Sequence, residues 1–351
     1  MNKKSIDYLS WLSSGTPTTW WHDSADPAEL DEALSRGAVG VTTNPILIPQ
    51  ALKGNADRWG EETARAVRDA KDGRARAESL MRIPVTSAAK KLQPVFENTS
   101  GESGYVCAQV DPSLAGDRAG MSEMGRRFAA WAPNIAVKLP ATAAGLDVLR
   151  MLCSEGITVT ATVSFTVAQV TAVAECYEKA LSGRGSGQRV GRCFAVLMIG
   201  RLDDYLREVF CDANAGISET DIQQAGLAVA KHAHAIYKKK GFQAKLMIAA
   251  FRQTSQVAGM SGADVVLSIH PRYQKLLVEE PLPREQQIRQ DIPPDVISRL
   301  SGQKEFLRAF RVNGLSTGEF ITCGLTQRTL TQFSESGWKL LESFDAPRRG
   351  A

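Results

Sequence analysis

Short runs of β-branched and aromatic residues recur along the chain, and between them apolar positions repeat at helical spacing. Runs over 18–21, 39–42, 105–110, 135–139, 157–163, 192–199, 245–250 and 263–268 predict eight strands. Helical periodicity predicts helices over 26–35, 51–79, 119–131, 142–153, 167–181, 202–210, 221–239, 253–260 and 327–344. Asp26 and Pro27 mark one helix start, as N-cap and first helical residue. The segment 83–100 reads as irregular, prolonging either a loop or a helix. The Pro-rich, charged stretch 281–300 reads as the heart of a surface excursion near 275–310. Strict alternation of eight strands with helices predicts an α/β fold: a single (β/α)8 TIM barrel over 1–351, with inserted and C-terminal helices. An open doubly wound sheet would need a Gly-rich phosphate loop after an early strand. No such loop is present, and the glycines of 183–187 follow a helix, where they mark a flexible connection.

Composition changes this picture little. Over 351 residues, 43% are hydrophobic and 23% charged, which suits a globular protein. A net charge of +4 is too small for an electrostatic nucleic-acid footprint. Lys238, Lys239 and Lys240 sit together at a predicted helix end, where cations complement the dipole. The six cysteines show no metal-ligand spacing and point to a reducing compartment. The first fifteen residues contain no apolar leader, and no run is long enough to span a bilayer. A cytoplasmic protein is expected, with no metal and no organic cofactor.

Reactive groups of a parallel barrel lie at the C-terminal ends of its strands. The polar residues predicted there are Asp23, Thr42 to Asn44, Gln109 and Asp111, Lys138, Thr160 and Thr162, Arg201, Arg252, and Ser268 with His270. Lys138 stands out because it sits within Ile135-Ala136-Val137-Lys138-Leu139-Pro140. In a barrel interior, lost solvation favours the neutral amine that carbonyl attack requires. Its bland alternative is a gatekeeper on an edge strand. Asp23 could move protons or merely cap a helix. Arg201 and Arg252 could grip a phosphate or form surface ion pairs.

Taken together, these segments resemble the transaldolase family. The resemblance rests on Asp23 with Val39-Gly40-Val41-Thr42-Thr43-Asn44-Pro45, and on Val137-Lys138-Leu139-Pro140-Ala141-Thr142 followed by Gly145. It extends to Gly156-Ile157-Thr158-Val159-Thr160 with Phe165, to Ile199-Gly200-Arg201, Ala250-Phe251-Arg252, and Gly262-Ala263-Asp264. It implies a lysine Schiff base that carries a dihydroxyacetone unit between sugar phosphates, as in the pentose phosphate pathway. Lys138 would be the nucleophile and Asp23 the acid/base. Thr42, Asn44 and Thr160 would meet the substrate, Thr162 would hold a catalytic water, and Arg201 and Arg252 the phosphate. The implied partner is a small sugar or sugar phosphate, and the implied assembly a homo-oligomer.

The chain also departs from that pattern. Gln109 stands where transaldolases have a glutamate, as in the related fructose-6-phosphate aldolases, and an amide cannot shuttle a proton. Met198 stands where those aldolases have a tyrosine, Thr160 where the family has an asparagine, and Val196 and Ala250 where it has serines. A less polar pocket is expected. His22, Cys107 and His270 are candidates for the missing acid/base function. Strand alternation turns His22 away from Asp23 and Cys107 inward beside Gln109. Trp20 and Trp21 could stack on a sugar, or fill the core. The favoured expectation is aldol cleavage or formation through Lys138, either transferring the three-carbon unit or releasing it. A non-catalytic sugar-phosphate binder and imine chemistry on another carbonyl are the alternatives.

Overall fold

The computed structural model describes residues 6–185, 187 and 189–345. The first five residues of the N-terminal segment and Ser186 of the Gly-rich loop lie outside them. Eight parallel strands close a barrel in sequence order. They are β1 (Thr19–His22), β2 (Gly40–Val41), β3 (Tyr105–Gln109), β4 (Ile135–Pro140), β5 (Val159–Thr162), β6 (Cys193–Met198), β7 (Lys245–Ala249) and β8 (Val266–Ile269). Closure pairs β1 with β8, with Trp21 opposite Ser268 and His22 opposite Ile269. Every residue of β3 to β6 is buried. Both faces of these strands are covered, which is why they read as continuous apolar runs rather than alternating ones.

Alternation along the strands builds the barrel's interior. At its base, the Trp21 ring lies 4.7 Å edge-on from Phe194, and Tyr105 lies 5.8 Å from the same ring. These three rings plug the barrel beneath the layer that carries Asp23 and Lys138. Trp20 and Trp21 are therefore core residues and take no part in a sugar platform. Gly40 makes room for the plug, since a Cβ there would lie inside the Trp21 indole.

The helix after β1, Pro27–Ser35, starts as the sequence indicates, with the Asp26 carboxylate accepting from the backbone of Ala28 and Glu29. Three helices separate β2 from β3: Leu47–Gly54, Ala56–Asp69 and Gly73–Asn98. The last runs straight through the segment that read as irregular, with Pro84 and Pro94 inside it. Each proline costs about 3 kcal/mol in a helix interior. Buried Ala77, Leu80, Met81, Val85, Ala88, Ala89 and Leu92 repeat at helical spacing and offset that cost by packing. The stretch near 275–310 holds the helices Pro294–Ser301 and Lys304–Phe310.

The C-terminal helix Gly324–Phe333 continues through a π-helical turn, Ser334–Trp338, into Lys339–Glu342. It returns over the C-terminal mouth of the barrel. Gly337 packs so closely on Pro45 that a Cβ would lie 2.6 Å from the Pro45 carbonyl carbon. This contact seats the C-terminus on the loop between β2 and its first helix.

His22 turns outward from β1 and is fully buried under the helix Pro271–Glu279. Its Nδ1 accepts from Gln274 Nε2 at 2.9 Å, and its own Nε2 has no partner among the described residues. Burial pushes its pKa down to about 4, against smaller opposing effects of Gln274 and Asp23. It is a packed neutral imidazole, outside the reaction space.

Two outcomes follow from this packing. Gly40→Ala should lower stability by about 1–3 kcal/mol, because the added methyl overpacks a rigid indole; the urea midpoint measures it, and an unchanged midpoint would refute the plug. The His22 pKa is lowered on folding, so the unfolded chain binds a proton that the folded one does not between about pH 6.5 and 4. Stability should therefore fall as pH drops through that window, by at most about 1.4 kcal/mol per pH unit. His22→Gln should flatten that slope.

Candidate active site

A cavity of about 180 Å³ opens at the C-terminal mouth, lined among others by Asp23, Thr42, Asn44, Lys138, Thr162, Arg201 and Arg252. Seven residues read from six strand ends thus converge on one space. Lys138 projects inward from β4 and is 6% exposed. Its Nζ donates to the Thr43 carbonyl at 2.9 Å, and it forms no ion pair among the described residues. A buried amine without a carboxylate partner is unusual, because pairing normally compensates lost solvation.

Asp23 follows β1 on the inward parity. Its Oδ1 accepts from Thr42 Oγ1 at 2.8 Å, and Thr42 Oγ1 also lies 2.6 Å from Ser268 Oγ. This chain of hydroxyls fixes the carboxylate across β8, β1 and β2. Asn44 uses its Oδ1 to cap the backbone of Ile46 and Leu47, which shapes the loop that supplies the Thr43 carbonyl. Thr162 has only a weak partner in the wall, Met198 Sδ at 3.8 Å.

The strand-end candidates Thr43, Gln109, Asp111 and Thr160 lie outside the cavity's lining. Gln109 and Thr160 flank Lys138 on the neighbouring strands, each paired with it in register. Gln109 is buried and its Oε1 has no partner among the described residues. Thr160 accepts from Cys107 Sγ at 3.5 Å. Cys107 does point inward, as its parity required, but burial pushes its thiol pKa up and it does not reach the cavity. His270 does line the cavity, beside Tyr273. Its Nδ1 accepts from the backbone of Arg272 at 3.2 Å and so caps the helix that follows β8.

The two arginines stand at the rim. Arg252 is held by Asp204 at 2.6 and 2.8 Å and by the Ala250 carbonyl at 2.9 Å. Arg201 reaches Gln332 at 2.6 Å and lies over the Phe333 ring. Burial, then the neighbouring charge of Arg252, brings the Arg201 pKa down to about 10. Such a pair gains most from an anion placed between them. Beneath, Asp203 accepts from Gln256, which in turn accepts from the Arg252 backbone, so the helices after β6 and β7 are tied together behind the arginines. Val163 and Ala250, at the ends of β5 and β7, adopt left-handed backbone (φ 57 and 60). Such strain persists where surrounding structure imposes it, commonly beside functional sites.

Phe333 and Tyr273 line the cavity without any signal in the sequence, because the C-terminal helix brings one of them back from beyond the barrel. A larger recess, about 1040 Å³, lies at the opposite mouth. Its Arg192 and Lys245 are already paired with Glu102 and Asp264, and Asp23, Lys138 and the rim arginines do not line it. Size favours that recess, but the convergent reactive groups favour the smaller cavity.

The family described as Transaldolase/Fructose-6-phosphate aldolase matches residues 20–343. A transaldolase of Thiobacillus denitrificans is 30% identical over 253 residues, covering 70% of this chain and 69% of that protein. A transaldolase of Neisseria gonorrhoeae is 32% identical over 211 residues, covering 59% and 58%. Transaldolase 1 of Streptomyces avermitilis is 29% identical over 252 residues, covering 67% and 65%. The chain therefore spans about three fifths to two thirds of the relatives it matches. With a closed eight-stranded barrel and a match across almost its whole length, the chain belongs to the transaldolase/fructose-6-phosphate aldolase family of enzymes.

Proposed function

We propose that the protein cleaves and forms C–C bonds of a ketose or ketose phosphate through an imine on Lys138, moving a dihydroxyacetone unit. The observation that carries this reading is the Lys138 amine: buried, without an ion-pair partner among the described residues, and in one cavity with Asp23 and two arginines. The amine adds to the ketose carbonyl, and the carbinolamine loses water to give an iminium ion. Asp23 takes the proton from the hydroxyl on the far side of the breaking bond. The electron pair of that bond flows into the iminium, leaving an enamine on Lys138 and a free aldehyde. The enamine then attacks a second aldehyde, or is protonated and hydrolysed to release the three-carbon ketone. No metal is needed, since the iminium is the electron sink.

In this reading Thr42 and Asn44 meet hydroxyls, Thr162 holds a water, and Arg201 with Arg252 takes the anionic end; that all five line one cavity supports it. Gln109, whose Oε1 is unpartnered beside Lys138, supports a water-holding role from outside the cavity. Thr160 contributes by fixing the strand next to Lys138. An amide at position 109 supplies no base for hydrolysis, so release and transfer differ by how fast a second aldehyde intercepts the enamine. A binder without turnover is the reading that remains if Lys138 is inert. A homo-oligomeric assembly in the cytoplasm is part of this proposal; among the described residues no helix is long and apolar enough to cross a membrane.

Asp23→Asn should keep imine formation with fructose 6-phosphate yet slow its cleavage roughly 10²–10⁴-fold. Aldehyde release in a single turnover checks this. Cleavage at the native rate by that variant would remove Asp23 from the mechanism.

A further inference from the structure

The walls of the cavity differ in chemistry around its circumference. On one flank β8, β1 and β2 present Ser268, Asp23 and Thr42, joined by hydrogen bonds. On the other flank β6 and β7 present Val196, Met198, Met247 and Ala249. These side chains are buried or nearly so, and none of them offers a hydrogen-bond donor. The Thr162 hydroxyl, at the edge of that flank, turns to the Met198 sulfur, a weak acceptor. Above the apolar flank, at the ends of the same two strands, stand Arg201 and Arg252.

A hydroxyl set against the apolar flank would lose its water and gain no partner, which is costly. A hydrogen or methyl at the same place would pack against the methionines, whose flexible thioethers fill irregular space. The polar flank makes the opposite demand, because Asp23, Thr42 and Ser268 satisfy substrate hydroxyls.

We propose, resting on the imine reading above, that the substrate is a deoxygenated sugar phosphate or a similarly anionic ketone. Its anionic group lies at Arg201 and Arg252, its carbonyl at Lys138, and its hydroxyls along β8, β1 and β2. The carbon facing Val196, Met198 and Met247 bears hydrogen or methyl in place of a hydroxyl. The enzyme thus serves a pathway in which an earlier reaction has removed an oxygen from the sugar, or has built the chain without it.

Competition tests this directly. Equal amounts of fructose 6-phosphate and one of its monodeoxy analogues are incubated with the enzyme, and imines are captured with borohydride. Captured in the Asp23→Asn variant, which keeps imine formation but slows cleavage to a common three-carbon unit, the two intact six-carbon adducts on Lys138 differ in mass by one oxygen atom. At least one analogue in the set should outcompete the parent, by up to about a hundredfold, the scale on which an apolar pocket resists an added hydroxyl. Val196→Ser, which places a partner in the apolar flank, should bring that ratio back towards parity. Preference for the parent over every analogue, or a ratio indifferent to Val196→Ser, would overturn the inference and leave the imine reading intact. No adduct on Lys138 with any of these ketoses would overturn the imine reading, and this inference with it.

Discussion

The site depends on one hydrogen bond, from the Lys138 amine to the Thr43 carbonyl. A lysine buried in a barrel must be compensated, and an acidic neighbour would do so by holding it as an ammonium. Here the compensation comes from a backbone carbonyl, a neutral acceptor, and not from a carboxylate. The carbonyl is in place because Asn44 caps the turn that follows β2, Thr43 Oγ1 bonds the Cys107 carbonyl of β3, and Gly337 of the C-terminal segment presses on Pro45. The remote helices therefore act on the reacting nitrogen through the β2 loop.

The carboxylate of the site is held by other partners. Asp23 is anchored by Thr42 and, through it, Ser268. Amine and carboxylate are thus kept within one cavity without being bonded to each other. This separation is what a reaction needs if one group is to attack carbon while the other moves a proton. The arginines show a parallel economy. Asp204 and the Ala250 carbonyl orient Arg252, and Gln332 orients Arg201, so that neither fork waits disordered for its anion.

Much of this was legible in the sequence, for physical reasons that differ by residue. Lys138 was legible because a cation within an apolar strand has few structural uses. The eight strands were legible because a parallel barrel buries both faces and so writes continuous apolar runs. The helix Gly73–Asn98 was hidden by Pro84 and Pro94, whose local cost is outweighed by packing along the whole element. Gln109 read as a cavity residue from its parity; it is buried in register with Lys138, yet the cavity's lining does not include it. Phe333 carried no signal at all, since only the closing path of the C-terminus brings it to the site. The apolar flank was foreshadowed by Val196 and Met198, while Met247 joined them only once register placed β7 beside β6.

The central claim is that Lys138 forms an imine. Borohydride reduction in the presence of dihydroxyacetone, followed by peptide mass mapping, tests it most directly. One three-carbon adduct per chain is expected, on the peptide containing Lys138 and lost in Lys138→Ala. Native enzyme that binds ketoses but yields no adduct on that peptide would contradict it.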